Sequence, residues 1–365
     1  MPGILERRYP ILNLISFSSQ VFSAIGFSEE DAQLAAKCLT RADLRGIDSH
    51  GIARLSGYVR LFHAGRLNPR PEMKFTSTFP AVAVLDADQS IGFISASLAM
   101  KRCIDMAKIS GCGMVAVRNS NHFGIAGQYA LMAAEQGLAG MAFTNASPLV
   151  APTNSTARML GTNPIAAAFP ALESRPFVLD MATTTVANGK LEVLQRTGQK
   201  APEGWIQNSN GESSNNPDEL KNGGALLPLG GESQNGGHKG YGLGSVVDIL
   251  SGVFSGANFG PWVPPFVSFL PLPENPVGEG IGHFFIAFRT DAFQPEQVFR
   301  QRMEEWMKSM RSASTIGENE VMVPGDPEWE AEDIRMKDGI PVHPKVVEDL
   351  RNLAIELKIS STLFE

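Results

Sequence analysis

Apolar residues recur every three or four positions along the first part of the chain. Leu14 and Phe17 begin such a series, which predicts an amphipathic first helix. Ser28 then precedes three acidic residues, a combination typical of a helix N-terminus, because the serine oxygen can accept a backbone amide and the acids face the positive end of the helix dipole. This second helix is predicted to end near Leu44. Residues 1–70 are therefore predicted to be a helical unit.

Beyond residue 70 the apolar runs shorten to the length of strands and alternate with helical segments. The predicted strands cover 81–85, 114–117, 138–144, 165–169, 177–181 and 282–288, and the predicted helices cover 94–109, 125–136, 243–250, 294–310 and 344–358. The short connection at 170–176 predicts an antiparallel pair of strands. The helix between the strands at 114–117 and 138–144 predicts a crossover, with ligand-binding residues where the first of these strands ends. The pattern predicts a mixed α/β fold.

Composition and charge narrow the class of protein. Of the 365 residues, 43% are hydrophobic and 19% are charged, which is typical of a globular protein with a large core. The net charge of -7 gives no basic surface for nucleic acid, and no apolar run approaches the length of a membrane span. Three cysteines without a Cys-x-x-Cys pair are typical of reduced thiols. We therefore expect a cytoplasmic protein that binds neither nucleic acid nor membrane.

The segment 41–54 concentrates candidate chemistry around two glycines. The glycines predict sharp turns, so that one helix ends before the segment's centre and another begins after His50, with Asp48 or Ser49 as its N-cap. Arg54 would then lie one turn beyond His50. A guanidinium in that position can bind a carboxylate while the imidazole exchanges a proton. The alternative interpretation is a capped helix with solvated charges.

Two further motifs contain candidate ligand-binding residues. Asn121 and His122 lie in the motif Asn-His-Phe-Gly, directly after a predicted strand, where the histidine either caps the next helix or faces a ligand. Farther along, His238 and Lys239 lie in a glycine-rich stretch. Glycine amides beside a lysine are typical of a phosphate cradle, although an ordinary turn has the same composition. The residues alone leave both alternatives open.

Several common catalytic motifs are absent from the sequence. It contains no Gly-x-Gly-x-x-Gly dinucleotide fingerprint, no P-loop, no Gly-x-Ser-x-Gly nucleophile elbow and no His-Glu-x-x-His zinc motif. We therefore predict no metal site and no Rossmann fold.

Four motifs resemble those of the type-2 malate/L-lactate dehydrogenase family, and the resemblance extends over nearly the whole chain. They are Asp-Ser-His-Gly at 48–51, Asn-His-Phe-Gly at 121–124, Gly-Thr-Asn-Pro at 161–164 and Lys-Gly-Tyr-Gly-Leu at 239–243. The resemblance implies an oxidoreductase that uses NAD or NADP, with a cofactor domain built on a largely antiparallel or mixed sheet instead of a Rossmann fold.

The resemblance also implies a domain organisation and an assembly. Residues 72–290 would form the cofactor-binding α/β domain. Residues 1–70 would pack with the C-terminal helical segment 295–365 as a second domain. Members of the family are usually dimers, so we expect a homodimer.

Site residues are implied in the same way. His50 is our first choice for the proton-exchanging group and His122 is its rival. The implied catalytic set is His50, His122, Ser49 and Asp180, and the implied substrate-binding set is Arg54 and Asn121. The implied cofactor-binding set is Thr144, Asn145, Pro176, Phe177, Val178, Leu179, Asp180, Met181, Ala182, His238, Lys239, Gly325, Asp326 and Pro327. Asp180 either orients one of the two imidazoles or caps a helix. His238 and Asp326 depart from the family pattern, which more often has an aromatic residue and a glutamate there.

The predicted reaction is hydride transfer between NAD(P)H and C2 of a small 2-oxo acid, or the reverse from a 2-hydroxy acid of the malate or lactate type. The binding partner is therefore expected to be a small molecule. Two alternatives remain at this stage. One is a reductase of a cyclic imino acid within the same family, and the other is a nucleotide-binding protein without redox activity.

Overall fold

The computed structural model describes residues 7–364, so residues 1–6 and 365, which the predicted helical domain includes, lie outside the described part. The α-helices are α1 (Ile11–Ala24), α2 (Glu29–Leu44), α3 (Leu55–His63), α4 (Gly92–Ser110), α5 (Gly127–Ala134), α6 (Asn188–Thr197), α7 (Gly237–Asp248), α8 (Glu296–Arg311), α9 (Asp326–Asp338) and α10 (Pro344–Leu357). The strands are β1 (Arg7–Tyr9), β2 (Lys74–Phe79), β3 (Val82–Asp86), β4 (Cys112–Ser120), β5 (Leu138–Thr144), β6 (Ile165–Phe169), β7 (Phe177–Met181), β8 (Ile206–Gln207), β9 (Ser213–Ser214), β10 (Ala225–Leu226), β11 (Ile281–Arg289) and β12 (Ile340–Val342).

The main sheet has seven strands in the order β2-β3-β4-β11-β5-β6-β7. β3 and β4 are parallel and are connected by α4, whereas the other neighbouring pairs are antiparallel. The expected mixed α/β class with a largely antiparallel sheet is confirmed. The antiparallel pairing of β6 with β7 is confirmed as well.

The predicted crossover from β4 to β5 is observed, and the two strands it connects are not neighbours in the sheet. The two strands run in the same direction, but β11 lies between them and pairs with both. Ile286 of β11 lies opposite Met114 of β4 on one side and opposite Met141 of β5 on the other. Local apolar patterns carry no information about a partner that arrives so much later in the chain.

Two cores hold the helices to each other and to the sheet. The N-terminal core joins α1, α2 and α3 to β12 and α10, and β1 pairs with β12. The second core fills the space between α4, α5 and one face of the sheet. α8 packs elsewhere, with Met307 against Ala171 near the end of β6. The grouping of 1–70 with 295–365 stays a prediction.

At the start of α2, the predicted serine cap is confirmed, since Oγ of Ser28 accepts the amide of Asp31 at 3.1 Å. Within residues 7–364, no helix has the length and apolar character needed to cross a membrane. The same residues contain no group of three or more His, Cys, Asp or Glu side chains placed to hold a metal ion.

Candidate active site

The loop between α2 and α3 carries His50 and is held by a buried carboxyl group. Oδ2 of Asp43 accepts the amide of Ile52 at 2.7 Å. A Cβ atom on Gly51 would lie 2.0 Å from Oδ1 of Asp43, so this close contact requires glycine. Burial raises the pKa of Asp43 well above its usual range. The position of His50 therefore depends on the end of the preceding helix.

The predicted N-cap in this loop is wrong. The chain after His50 begins with a 3₁₀ turn. Its N-cap residue is Gly51, which has no side chain to cap the turn. Asp48 pairs with Arg335 of α9 instead, and Ser49 bonds to His50. The free amide of the turn, that of Ile52, donates to Asp43 of α2. The spacing of polar residues around His50 gave no indication of this acceptor.

One ring nitrogen of His50 is occupied by its neighbour in the sequence. Oγ of Ser49 lies 2.8 Å from Nδ1 of His50. Burial, and to a smaller extent the charge of Arg54, lower the pKa of His50 to about 4. The imidazole is therefore neutral at pH 7 in the free protein.

His122 is held by a tyrosine that sequence reasoning missed. The hydroxyl of Tyr58 lies 2.7 Å from Nδ1 of His122, and the amide of Gly124 lies 3.4 Å from the same nitrogen. A backbone amide can only donate, so Nδ1 accepts and the neutral ring carries its proton on Nε2. Burial, followed by the charges of His50 and Arg54, lowers the pKa of His122 well below its usual range. The spacing of Tyr58, one turn beyond Arg54, could have indicated it.

The two imidazoles face each other across one cavity. Their centroids are 5.8 Å apart with an interplanar angle of 19°, and Phe266 stacks on His122 at 4.6 Å. Within residues 7–364, neither Nε2 atom has a hydrogen-bond partner. The cavity is also lined by Arg54, Thr144 and Asn145. The structure thus brings together five of the predicted site residues, and Phe266 supplies a wall from the Pro- and Gly-rich segment 254–280.

Arg54 reaches this cavity but is already paired. Its Nε donates to the carbonyl of Ser49 at 2.7 Å, and its two terminal nitrogens bind the carboxylate of Glu192 at 3.1 and 2.7 Å. Glu192 lies on α6, which was not predicted as a helix, so this contact could not be anticipated.

Thr144 and Asn145 line the cavity with side chains that bond to protein. Oγ1 of Thr144 lies 2.7 Å from Nδ1 of His283 and donates to neighbouring carbonyls. Nδ2 of Asn145 donates to the carbonyl of Asn258 at 2.7 Å, and its Oδ1 accepts the amide of Gly282. These contacts fix the cavity wall where β5 ends beside β11.

Two predicted residues lie away from the cavity. Nδ2 of Asn121 donates to the carbonyls of Arg66, Gln89 and Ser90, so its side chain braces backbone instead of facing a ligand. Asp180 accepts the amide of Gly127 at 2.7 Å, at the start of α5. Of its two interpretations, helix capping is therefore the one observed, and no imidazole is its partner within residues 7–364. Burial raises the pKa of Asp180 to about 6.

The predicted cofactor segments at 176–182 and 325–327 lie against each other. The amide of Val178 donates to the carbonyl of Pro324 at 3.1 Å. Gly325 has a φ of 104°, and a Cβ atom there would lie 3.0 Å from the nitrogen of Val178. Asp326 is held by Arg311 through two hydrogen bonds of 2.9 and 2.7 Å, so its carboxylate is engaged within the protein. Neither segment lines the histidine cavity.

The glycine-rich stretch differs from its prediction. α7 begins at Gly237 instead of near residue 243, so His238 and Lys239 lie in its first turn, where both are exposed. The amides of Gly237 and Lys239 already donate to the carbonyls of Glu232 and Gly236. The cradle therefore has fewer free amides than expected, and neither His238 nor Lys239 lines the histidine cavity.

Comparisons with known proteins agree with this fold. The sequence profile described as malate/L-lactate dehydrogenase matches residues 10–351. A malate dehydrogenase of Pyrococcus abyssi is 44% identical over 349 residues, covering 95% of this chain and 94% of the relative. An L-sulfolactate dehydrogenase of Methanocaldococcus jannaschii is 34% identical, covering 93% of this chain and 94% of the relative.

A solved structure supports the same relationship. The malate dehydrogenase of Pyrococcus horikoshii OT3 superposes with a TM-score of 0.88 at 39% identity, covering 97% of both chains. The matched profile and the relatives extend over almost all of the chain, including both histidine motifs. The chain belongs to the malate/L-lactate dehydrogenase family.

Proposed function

We propose that this oxidoreductase is a nicotinamide-dependent 2-hydroxy-acid dehydrogenase whose first substrate to test is malate, or oxaloacetate in the reverse direction. The observation that carries the proposal is the pair of stacked imidazoles beside the guanidinium of Arg54, each with an Nε2 that has no hydrogen-bond partner within residues 7–364. The choice of malate rests on the names of the relatives at 44% and 39% identity.

Different hydrogen bonds give the two histidines different roles in this proposal. Nδ1 of His122 faces a backbone amide, which favours one neutral tautomer with a hydrogen on Nε2. Such a ring donates a hydrogen bond to the C2 oxygen and keeps its proton. His50 faces the Ser49 hydroxyl, which can donate to a neutral ring or accept from a charged one. His50 can therefore change protonation state, which makes it the proton-exchanging group.

Arg54 is proposed to bind the carboxylate at C1. A guanidinium offers two parallel donors that match a carboxylate, and its position beside His50 places C2 of the substrate near both imidazoles. Phe266 closes one side of the cavity and limits access of water to His122.

The residues present fit an organic cofactor. The cavity offers two imidazole Nε2 atoms that have no hydrogen-bond partner among residues 7–364, its lining includes Thr144, Asn145 and Asn188, and no metal-ligating cluster occurs among the same residues. We propose that Thr144 and Asn145 at the cavity, together with the segments 176–182 and 325–327 outside it, hold the nicotinamide cofactor, with Lys239 at its phosphates. When bound, the cofactor supplies or accepts the hydride at C2.

A homodimer is part of the proposal. Beyond Gly237, α7 and the π-helical turn Ile249–Val253 that extends it carry apolar side chains that are 38–66% exposed: Tyr241, Leu243, Val246, Ile249, Val253 and Phe254. Exposed apolar side chains concentrated on one helical segment are typical of a subunit interface. We place the protein in the cytoplasm because Cys38, Cys103 and Cys112 are free thiols.

The proposed function is tested by following absorbance of the reduced nicotinamide with NADH and NADPH in separate series. The panel contains oxaloacetate, pyruvate, a 3-sulfonated 2-oxo acid and a cyclic 2-imino acid. We expect turnover of at least one 2-oxo acid, with oxaloacetate foremost. Turnover of the cyclic imine alone would replace the proposal with the imine-reductase alternative, and no turnover of any substrate with either cofactor would reject it.

A further inference from the structure

The first turn of α6 rests on the loop that carries His50. Asn188 and Gly189 line the histidine cavity. A Cβ atom on Gly189 would lie 2.5 Å from Cβ of Ser49 and 3.2 Å from a terminal nitrogen of Arg54. Since no larger residue fits in this contact, α6 is held directly against the proposed substrate-binding arginine.

One turn along α6, Glu192 binds Arg54 in the geometry expected of a substrate carboxylate. Each of its oxygens receives one terminal nitrogen of the guanidinium, at 3.1 and 2.7 Å. Nε of Arg54 donates a hydrogen bond to the carbonyl of Ser49. Both side chains are mostly buried, with 17% of Arg54 and 27% of Glu192 exposed. A second carboxylate cannot bind the same two nitrogens side by side while Glu192 stays in place.

The Glu192 side chain has space to move away from Arg54. It lines a second cavity of ≈ 280 Å³, whose wall also includes Arg54 and Arg60. Arg196 lies one helical turn farther along α6, 3.9 Å from the Glu192 carboxylate. Arg60 and Arg196 are therefore both near Glu192. If the Glu192 carboxylate leaves Arg54, its negative charge can still be balanced by one of these two cations.

From this geometry we infer that Glu192 occupies the substrate-carboxylate position on Arg54 in the empty enzyme and leaves it when substrate binds. The inference rests on the proposed function, in which Arg54 binds the C1 carboxylate. One carboxylate replaces another, so the partly buried guanidinium is paired in both states. The exchange lowers substrate affinity, because the Arg54–Glu192 pair must be broken for each binding event. It also excludes esters and amides of 2-oxo acids, since a neutral group cannot displace the glutamate.

The test compares wild type with Glu192→Gln, which keeps the shape of the side chain and removes its charge. We expect KM for the 2-oxo acid to fall about twofold to fivefold, the effect of removing one competing ion pair, with kcat nearly unchanged. The Kd of oxamate, measured by calorimetry in the presence of reduced cofactor, should fall by the same factor. A merely structural role for Glu192 would raise both constants, because Arg54 would lose its alignment.

Glu296→Gln is the matched control. Glu296 pairs with Arg300 at 2.8 Å on the surface of α8, away from the cavity, and its substitution should leave KM and the oxamate Kd unchanged. If wild type reduces a 2-oxo acid and Glu192→Gln leaves KM equal or higher, the displacement inference is overturned and the proposed function stands. If wild type reduces no 2-oxo acid, the proposed function fails, and the inference fails with it.

Discussion

His122 and His283 are two histidines associated with Phe123, yet they face different surroundings. His122 precedes Phe123 in the chain, and His283 stacks on the Phe123 ring at 4.7 Å. Burial is the main cause of a lowered pKa in both, and that of His283 falls to about 3. Both nitrogens of His283 are bonded, to Thr144 at 2.7 Å and to Ser120 at 2.8 Å. Among the residues that the structure describes, His122 has hydrogen-bond partners on Nδ1 alone.

Burial and a lowered pKa are therefore not enough to identify a catalytic histidine. A ring with two satisfied nitrogens is a packing element, because each donor or acceptor it offers is already used. An imidazole with one held and one open nitrogen is oriented and still able to act on a ligand. By this criterion His50 belongs with His122, and His283 belongs to the support of Thr144.

The largest effect is expected when either of the two cavity-facing rings is removed. His50→Ala and His122→Ala should each lower kcat by about 100- to 10,000-fold, the usual contribution of a positioned acid or base. Far-UV circular dichroism should be unchanged in both, because each ring faces a cavity on one side. Near-normal turnover of both variants on the true substrate would make the assignment wrong.

The two reaction directions should depend differently on pH, because each requires a different protonation state of His50. Reduction requires a charged His50, whose pKa is about 4, so kcat/KM for the 2-oxo acid should fall about tenfold per unit as pH rises above about 5. Oxidation of the 2-hydroxy acid requires the neutral ring and should be level from about pH 6 to pH 8. Steady-state rates in both directions provide the measurement. Parallel profiles in the two directions would contradict the proton role of His50.

Removing His283 should affect stability more than catalysis. His283→Ala takes away two buried hydrogen bonds and leaves a cavity, which we expect to cost about 2 to 3 kcal/mol of unfolding free energy at pH 7. A pKa near 3 in the folded state, below the unfolded value, means that wild type loses stability as pH falls from about 6.5 toward 3. The variant should lose less over that range. Urea unfolding at several pH values measures both effects, and a collapse of kcat without lost stability would place His283 among the catalytic groups.

The smallest expected effect comes from Tyr58→Phe. The phenyl ring keeps the packing against Phe93 and Phe266, while Nδ1 of His122 loses its partner at 2.7 Å. Loss of one such hydrogen bond should lower kcat about tenfold with little change in Tm. Steady-state kinetics beside thermal unfolding separates the two quantities, and an unchanged kcat would show that Gly124 alone orients the ring.

Sequence predicted well what depends on neighbours in the chain. The start of α2 at Ser28 and the pairing of β6 with β7 follow from local composition and a short connection. The fully exposed edge strand β2 escaped prediction, because it has no buried face to leave an apolar pattern. The place of β11 between β4 and β5 was hidden for a different reason, since pairing at long range leaves no local periodicity.

In the candidate site, too, the residues marked by local motifs were predicted and the long-range contacts were not. His50, His122 and Arg54 were indicated by motifs, and the structure brings them to one cavity. Tyr58 resembles any buried position of an amphipathic helix, so its hydroxyl went unnoticed. The direction of the Asn121 side chain and the partner of Asp180 depend on carbonyls and amides brought near by the fold, which no spacing of residue types encodes.

The central position of β11 bears on how the protein is made. Its His283 meets Thr144 across 139 positions, so the middle of the sheet is completed by a segment that leaves the ribosome late. Until then β4 and β5 have unpaired edges facing each other, a state in which nascent chains are prone to aggregate. A product that ends before Ile281 would lack the strand that joins the two halves of the sheet. Slow synthesis of residues 145–280 should therefore lengthen the interval in which a chaperone is needed.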